Sequence, residues 1–331
     1  MSKKNIIIAV IMLGIGGGAY FAGTHQALKS EGQTNSQNNS GVIEKTASSK
    51  PNGKIAFLGT GGIHLIDSDG KNEIVLAAGS CPVWSPDGKK IVYADISNNL
   101  WNLSVVNIDG SNKKQLAVGS SDRRPFCYNY AVWSPDGQKI VFNDGLYGID
   151  DSRSFLQLID ANGANLIKIA DSNWSEFGYN ADFSPDRKRI AFCRYAHDGG
   201  DTKINLISVD GTGKEEIANS GCSAQMKWSI DIDKTLQIDL DEESALSPDG
   251  KRIAYIDDHD LHVANIDGTQ NTKIYGLCYT RPSWSPDGSQ IACNCLENDA
   301  TGIIVMNSDG TEAKKIVNTI EMDVVAVWSP Q

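Results

Sequence analysis

The stretch Ala131–Asp144 reads AVWSPDGQKIVFND. An apolar run ends in Trp133, Ser-Pro-Asp-Gly follows, and a second β-prone run, KIVFN, comes after it. Proline presets φ, and Asp and Gly tolerate the later turn positions, so the pattern predicts two short strands joined by a tight turn. The phrase returns as PVWSPDGKKIVYAD, ADFSPDRKRIAFCR, SALSPDGKRIAYID and PSWSPDGSQIACNC. With Ser85, Ser134, Ser184, Ser247, Ser285 and Ser329 as markers, it recurs every 38 to 63 residues. Among the internal copies only the one at Ser184 departs, with Pro-Asp-Arg in place of Pro-Asp-Gly.

A second phrase follows each of the first: LWNLSVVNIDG, SFLQLIDANG, KINLISVDG, DLHVANIDG and GIIVMNSDG. Each is an apolar strand ending in Asp-Gly or Asn-Gly, a strong hairpin signal. A fourth run comes next: KKQLAV, NLIKIA, KEEIAN, TKIYG and KKIVN. Each unit is therefore a four-stranded antiparallel meander. Such units, repeated at this interval, are the signature of a β-propeller, in which neighbouring sheets hide each other's faces.

The ends complete the count. Residues 51–76 hold strands two, three and four of a unit but no first strand, and VVAVWSPQ at the end is a first strand with nothing after it. Together they make one composite blade, closing the ring and removing a free sheet edge. The expected fold is all-β, a propeller of six four-stranded blades over residues 51–331.

The W-S-P-D-G-x-x-I-A-F phrase and its later D-G turn resemble the TolB-type propeller repeats, over roughly residues 51–331. That resemblance implies the propeller fold and, by analogy, a protein-binding role in a bacterial envelope. The chain departs from the family in two ways. TolB-type proteins place a mixed α/β domain before the propeller, where this chain has a polar segment. Peptidases with such propellers carry a Gly-x-Ser-x-Gly elbow in a hydrolase domain, and this sequence contains no such motif.

Outside the repeats, MSKKNIIIAVIMLGIGGGAYFAG (1–23) has two lysines and then an uncharged apolar stretch over about 6–22. It reads as an export signal or a single membrane anchor, with the rest of the chain outside the cytoplasm. Residues 24–50, rich in Ser, Asn and Gln, read as a flexible tether. The formal charge of -11 argues against nucleic-acid binding, which needs a basic face for phosphates.

In a propeller, the one–two and three–four turns lie on one face. The two–three loops and the blade connections lie on the other. Here the first set is short and repetitive, and the second is irregular, so binding residues are expected on the second face and at the adjoining channel mouth. Arg123, Arg124, Tyr128, Tyr130, Arg194, Tyr195, Tyr279 and Arg281 fall there, and Arg and Tyr are favoured interface residues. The segment MKWSIDIDKTLQIDLD (226–241) alternates strictly and predicts a protruding hairpin. It carries Trp228 and Ile230 on one side and Asp231, Asp233, Asp239 and Asp241 on the other. That row of acids does not converge as calcium ligation requires. His259 and His262, near Asp257 and Asp258, are read as loop and strand residues rather than zinc ligands.

Of seven cysteines, Cys278–Cys295 is the pair that hairpin register favours, with Cys193–Cys222 and Cys81–Cys127 as further candidates. The odd count leaves at least one free thiol unless it pairs between molecules. No metal, cofactor or catalytic residue is expected, and the chain is expected to be monomeric. The sequence thus points to an exported, non-catalytic scaffold for a protein or peptide partner. A channel-mouth lyase or hydrolase acting on glycans or lactones, or a small-ligand sensor, is the alternative.

Overall fold

The computed structural model describes residues 53–97, 99–119, 131–145, 154–171, 176–177, 181–184, 186–196, 203–218, 244–319 and 324–330. The segments 1–23 and 24–50 lie outside the described residues, as does the segment 226–241 for which the sequence predicts a hairpin. Among the described residues every regular element is a strand, and no helix is long and apolar enough to cross a membrane.

The strands form six antiparallel sheets, the blades of a propeller. Blade 1 holds β1 (Lys54–Gly59), β2 (Gly62–Asp67) and β3 (Ile74–Ala77). Blade 2 holds β4 (Ser80–Trp84), β5 (Lys90–Ser97), β6 (Leu100–Asn107) and β7 (Lys114–Ala117). Blade 3 is β8 (Ala131–Trp133), β9 (Lys139–Gly145), β10 (Ser154–Asp160) and β11 (Ile167–Asp171). Blade 4 contains β12 (Glu176–Phe177), β13 (Ala181–Phe183), β14 (Arg189–Ala196), β15 (Lys203–Ser208) and β16 (Glu215–Ala218). Blade 5 is β17 (Ser244–Leu246), β18 (Arg252–Asp257), β19 (Asp260–Asn265) and β20 (Thr272–Tyr275). Blade 6 is β21 (Ser283–Trp284), β22 (Gln290–Glu297), β23 (Ala300–Asn307) and β24 (Lys314–Asn318). The last strand, β25 (Val327–Trp328), returns to blade 1.

Ring closure is explicit in the register. Ile55 pairs with Trp328 and Ala56 with Val327, so the C-terminal strand completes the N-terminal sheet. Ser329 Oγ accepts the Lys54 N–H at 3.0 Å, which ties the two ends once more.

The second strands read as continuous apolar runs because a blade has no solvent face. On β5, Ile91 and Tyr93 pack toward blade 1, while Val92 and Ala94 pack toward blade 3. Similar clusters join blades 3 and 4, 5 and 6, and 6 and 1. At three of the four tryptophans that end a first strand, all but Trp328, the indole adds a directional link. Trp84 Nε1 donates to the Val327 carbonyl at 3.0 Å, Trp133 Nε1 to Val83 at 3.3 Å, and Trp284 Nε1 to Ala245 at 3.0 Å. Each bond crosses to the preceding blade. Phe183 and Leu246 replace the indole in blades 4 and 5 and cannot make it.

The repeated turn is a hydrogen-bonded unit. In blade 2, Ser85 Oγ donates to Asp87 Oδ1 at 2.6 Å and accepts the Lys90 N–H at 2.9 Å. Asp87 Oδ1 also accepts the Lys89 N–H. The same set recurs at Ser134, Ser184, Ser247 and Ser285. The phrase is therefore repeated for the turn's sake: serine and aspartate satisfy backbone groups that a sharp reversal would orphan.

The serine hydroxyl is the first cause holding Asp87, Asp186 and Asp249 below the usual carboxylate range. At Asp136 burial pushes upward, and Ser134, the Gln138 N–H and Arg187 outweigh it. In the Asp-Gly turns, the hydroxyls of Ser111, Thr212 and Thr269 lower Asp109, Asp210 and Asp267. A depressed folded value stabilises the fold above the unfolded value of 3.8 and is lost as pH falls through the folded values. Unfolding midpoints in urea should therefore vary little with these groups between pH 7 and 5 and drop steeply below about pH 4. A midpoint unchanged at pH 3 would contradict this turn chemistry.

One element departs from the sequence reading. DSNWSEFGYN (171–180) reads as loop, yet Glu176 and Phe177 form β12, pairing with Ala196 and Tyr195 at the end of β14. The inner strand β13 reaches only from Ala181 to Phe183, opposite Phe192 to Ile190. The outer end of β14 would otherwise be an open edge, and β12 covers it.

Candidate functional site

The Ser-Pro-Asp-Gly and Asp-Gly turns share one face, and the two–three hairpins and blade connections share the other. On this second face, beside the composite blade, lies a cleft of about 400 Å³. Its walls come from the β1–β2 hairpin tip (Thr60), the start of β4 (Ser80), the end of β5 (Asp95) and the chain around the closing strand (Asn318, Thr319, Val324). It thus lies over blade 1, with walls from blade 2 on one side and from the end of blade 6 on the other.

Close backbone approach shapes the cleft. At Gly79 φ is +153°, and a Cβ there would sit 2.5 Å from the Ala94 carbonyl oxygen, so only glycine fits this connection between blades 1 and 2. The β1–β2 hairpin tip is anchored by buried His64. Its ring nitrogens lie 2.8 Å from Glu73 Oε1 and 2.9 Å from the Thr60 carbonyl oxygen. The ring packs over Gly59, which has no side chain to obstruct it.

Asp95 is the one ionisable side chain among the described lining residues. It is already engaged: Ser104 Oγ donates to Asp95 Oδ2 at 3.2 Å, and Lys113 Nζ lies 3.3 Å away. The cleft therefore presents amide, hydroxyl and backbone groups over an apolar base, with no free acid–base pair among them. A second cleft, of about 280 Å³, lies on the regular face between the turns at Ser85 and Pro135. Of its polar walls, Ser85, Asp87 and Asp136 are spent on the turn bonds described above, and Lys90 lines it as well.

Two of the expected contact residues are fully placed. Tyr279 is half-buried, its ring centroid 5.3 Å from that of His259, and Arg281 is also half-buried. Between them, Thr280 is buried, and its Oγ1 donates to the Val324 carbonyl at 3.1 Å. The Tyr279–Arg281 segment is thus fastened to the cleft wall. The backbone of Arg194 and Tyr195 lies in β14, but their side chains are outside the described residues. Arg123, Arg124, Tyr128, Tyr130, Trp228 and Ile230 lie outside them too.

His259 and His262 do not converge on a common point. His262 stacks on Tyr255 at 5.3 Å and its Nδ1 lies 3.2 Å from Asn271 Oδ1, while His259 faces Tyr279. A disulfide joins Cys278, in the connection between blades 5 and 6, to Cys295 of β22, its partner in register. Cys81 is disulfide-bonded as well. Cys127 and Cys222, and the side chain of Cys193, are outside the described residues. Cys293 is a buried free thiol whose Sγ donates to the Thr280 carbonyl at 2.9 Å, and burial pushes it up to about 12.

The sequence reading pointed to this face but did not single out Thr60, Ser80, Asn318 and Thr319. They sit in short, polar, unremarkable connections. The glycine run Gly59-Thr60-Gly61-Gly62 was the available signal of a crowded backbone.

No family model matches the sequence. Solved structures do. TolB from Acinetobacter baumannii aligns with a TM-score of 0.56 and 18% identity, over 84% of this chain and 67% of that one. A functionally unknown protein from Desulfotomaculum acetoxidans gives 0.55 and 12%, over 84% and 99%. A protein from Lactobacillus plantarum gives 0.53 and 14%, over 83% and 99%. The likeness is one of fold. The chain is a six-bladed propeller similar in architecture to TolB, and at these identities the comparison assigns no activity.

Proposed function

We propose that the protein is a non-catalytic propeller scaffold that holds a protein or peptide partner on its irregular face, at the cleft beside the composite blade. Residues 1–23 serve as export signal or anchor and 24–50 as tether, putting the ring outside the cytoplasm. The observation that carries the binding role is the composition of the cleft. It is walled by backbone, hydroxyl and amide groups together with the apolar side chains of Leu58, Ile96, Trp101 and Val324, and its single carboxylate is already paired. A lyase or hydrolase needs a base and an acid facing one space, and that arrangement is missing among these lining residues. Glycine-lined backbone and small polar side chains suit an extended peptide, which brings its own amides and carbonyls.

The test uses a side chain that blocks the cleft without touching the core. Thr60 is exposed at the hairpin tip and contributes only its carbonyl to His64. Thr60→Trp should leave the melting curve within about 0.5 kcal/mol of the parent, as surface changes usually do. Recovery of partners by cross-linking in an envelope extract should fall at least about tenfold, equivalent to 1.4 kcal/mol. Equal recovery by both proteins would rule out the cleft. Turnover of a glycan or lactone panel by the parent protein would replace the scaffold with the enzyme reading.

A further inference from the structure

The sulfur of Cys293 stands where every other blade has a ring. At the same position of the second strand, blades 1 to 5 carry Phe57, Tyr93, Phe142, Phe192 and Tyr255, all buried. Blade 6 gives up that aromatic packing for a thiol. Two residues on, Cys295 points to the same side of β22, and Cys278 lies across the register from it. The three Sγ atoms all lie within 4.8 Å of one another, and all three residues are fully buried. The sequence shows Cys293 and Cys295 sharing a face and favours Cys278 opposite Cys295 by hairpin register, and the folded blade gathers all three sulfurs into one cluster.

We propose that Cys278, Cys293 and Cys295 form a redox-gated site for one thiophilic cation of the zinc or cadmium class. In the form described here the gate is shut, because two of the three sulfurs are bonded to each other. A dithiol reductant opens it: the Cys278–Cys295 bond breaks, two thiols form, and the dithiol closes to its own disulfide. The cation then takes three thiolates and releases three protons. Metal–sulfur bonds of about 2.3 Å place three sulfurs roughly 4 Å apart, a spacing side-chain rotation reaches from the present cluster. Soft thiolates select this class of ion over calcium or magnesium. A divalent cation offsets two of the three negative charges buried with the thiolates, compensation that unpaired thiolates in this core would lack.

Cadmium itself is the probe. The full chain is reduced with a phosphine, which ends as its oxide and does not compete as a thiol, and is then titrated while sulfur-to-metal ultraviolet absorbance is followed. The expected result is saturation at one cadmium per folded, reduced chain, no signal from the oxidised chain, and at least tenfold weaker binding by Cys293→Ser. Mass-spectrometric mapping of alkylation rates adds a readout that needs no variant: relative to the reduced, metal-free chain, cadmium should slow further the already slow alkylation of the buried Cys278, Cys293 and Cys295 together. Binding unchanged in Cys293→Ser, shielding centred on other cysteines, or loss of the β-sheet signal on reduction before metal is added would each overturn the site.

Discussion

Removing residues 324–331 should cost the protein most of its stability. The deletion takes away β25 and with it Val324, Ala326 and Trp328, each no more than 5% exposed. It also removes the acceptor of the Trp84 indole and the Ser329 hydroxyl that holds Lys54. Losing a buried tryptophan alone costs about 3–5 kcal/mol, and the other two side chains raise the total to roughly 5–8 kcal/mol. That is comparable to the whole net stability of an ordinary domain, about 5–15 kcal/mol. The edge of β1 would also open to solvent along Ile55 and Ala56, inviting association. The truncated chain is expected to melt at least about 10 °C lower, or not to fold, and to be cut rapidly by protease. A melting curve and protease lifetime equal to those of the full chain would mean that the ring is not closed by this strand.

Trp284→Ala should be the most damaging single substitution among the blade tryptophans. Trp284 is 7% exposed and lies between blades 5 and 6. Its Nε1 donates across the seam to Ala245, and the Arg252 guanidinium stacks over its ring at 4.7 Å. Arg252 is fixed in turn by the Gly288 carbonyl at 2.8 Å and Ser308 Oγ at 3.0 Å. Truncation to alanine should cost about 3–5 kcal/mol through the cavity. Trp284→Phe separates packing from hydrogen bonding. The chain already uses Phe183 at the equivalent place, so a phenyl ring fits the repeat. The phenylalanine variant should lose about 1–2 kcal/mol, the share of the indole bond and the smaller ring. Urea unfolding with an unchanged denaturant slope would show both losses as shifts in midpoint. Equal midpoints for the alanine variant and the parent would remove the tryptophan from the seam's energetics.

The blade count, the strand order and the closing role of VVAVWSPQ were all legible in the residues. Each follows from local chemistry written repeatedly: a proline-set turn, an Asp-Gly hairpin, and apolar runs with the period of a strand. Repetition turns weak local signals into a specific prediction, because a radial stack of meanders is what buries both faces of every unit. The serine and aspartate of each turn were legible as turn residues, though not as the paired hydrogen-bond donor and acceptor they prove to be.

What the tertiary structure decided is where residues distant in sequence meet. Thr60 and Val324 are at opposite ends of the chain, and only closure sets them on one cleft. Tyr279 and Arg281 carry side-chain types that mark an interface, but it is Thr280 between them that reaches the cleft wall. β12 could not be read from its own residues, since it exists to cover the overhanging end of β14. Cys293 and Cys295 share a face by the two-residue period of a strand, which sequence alone supplies. Hairpin register also places Cys278 opposite Cys295, but the gathering of all three sulfurs within 4.8 Å of one another is set by the packed blade. Local pattern fixes periodicity and turns, whereas a site needs side chains from several elements at angstrom separations, and only the packed ring sets those.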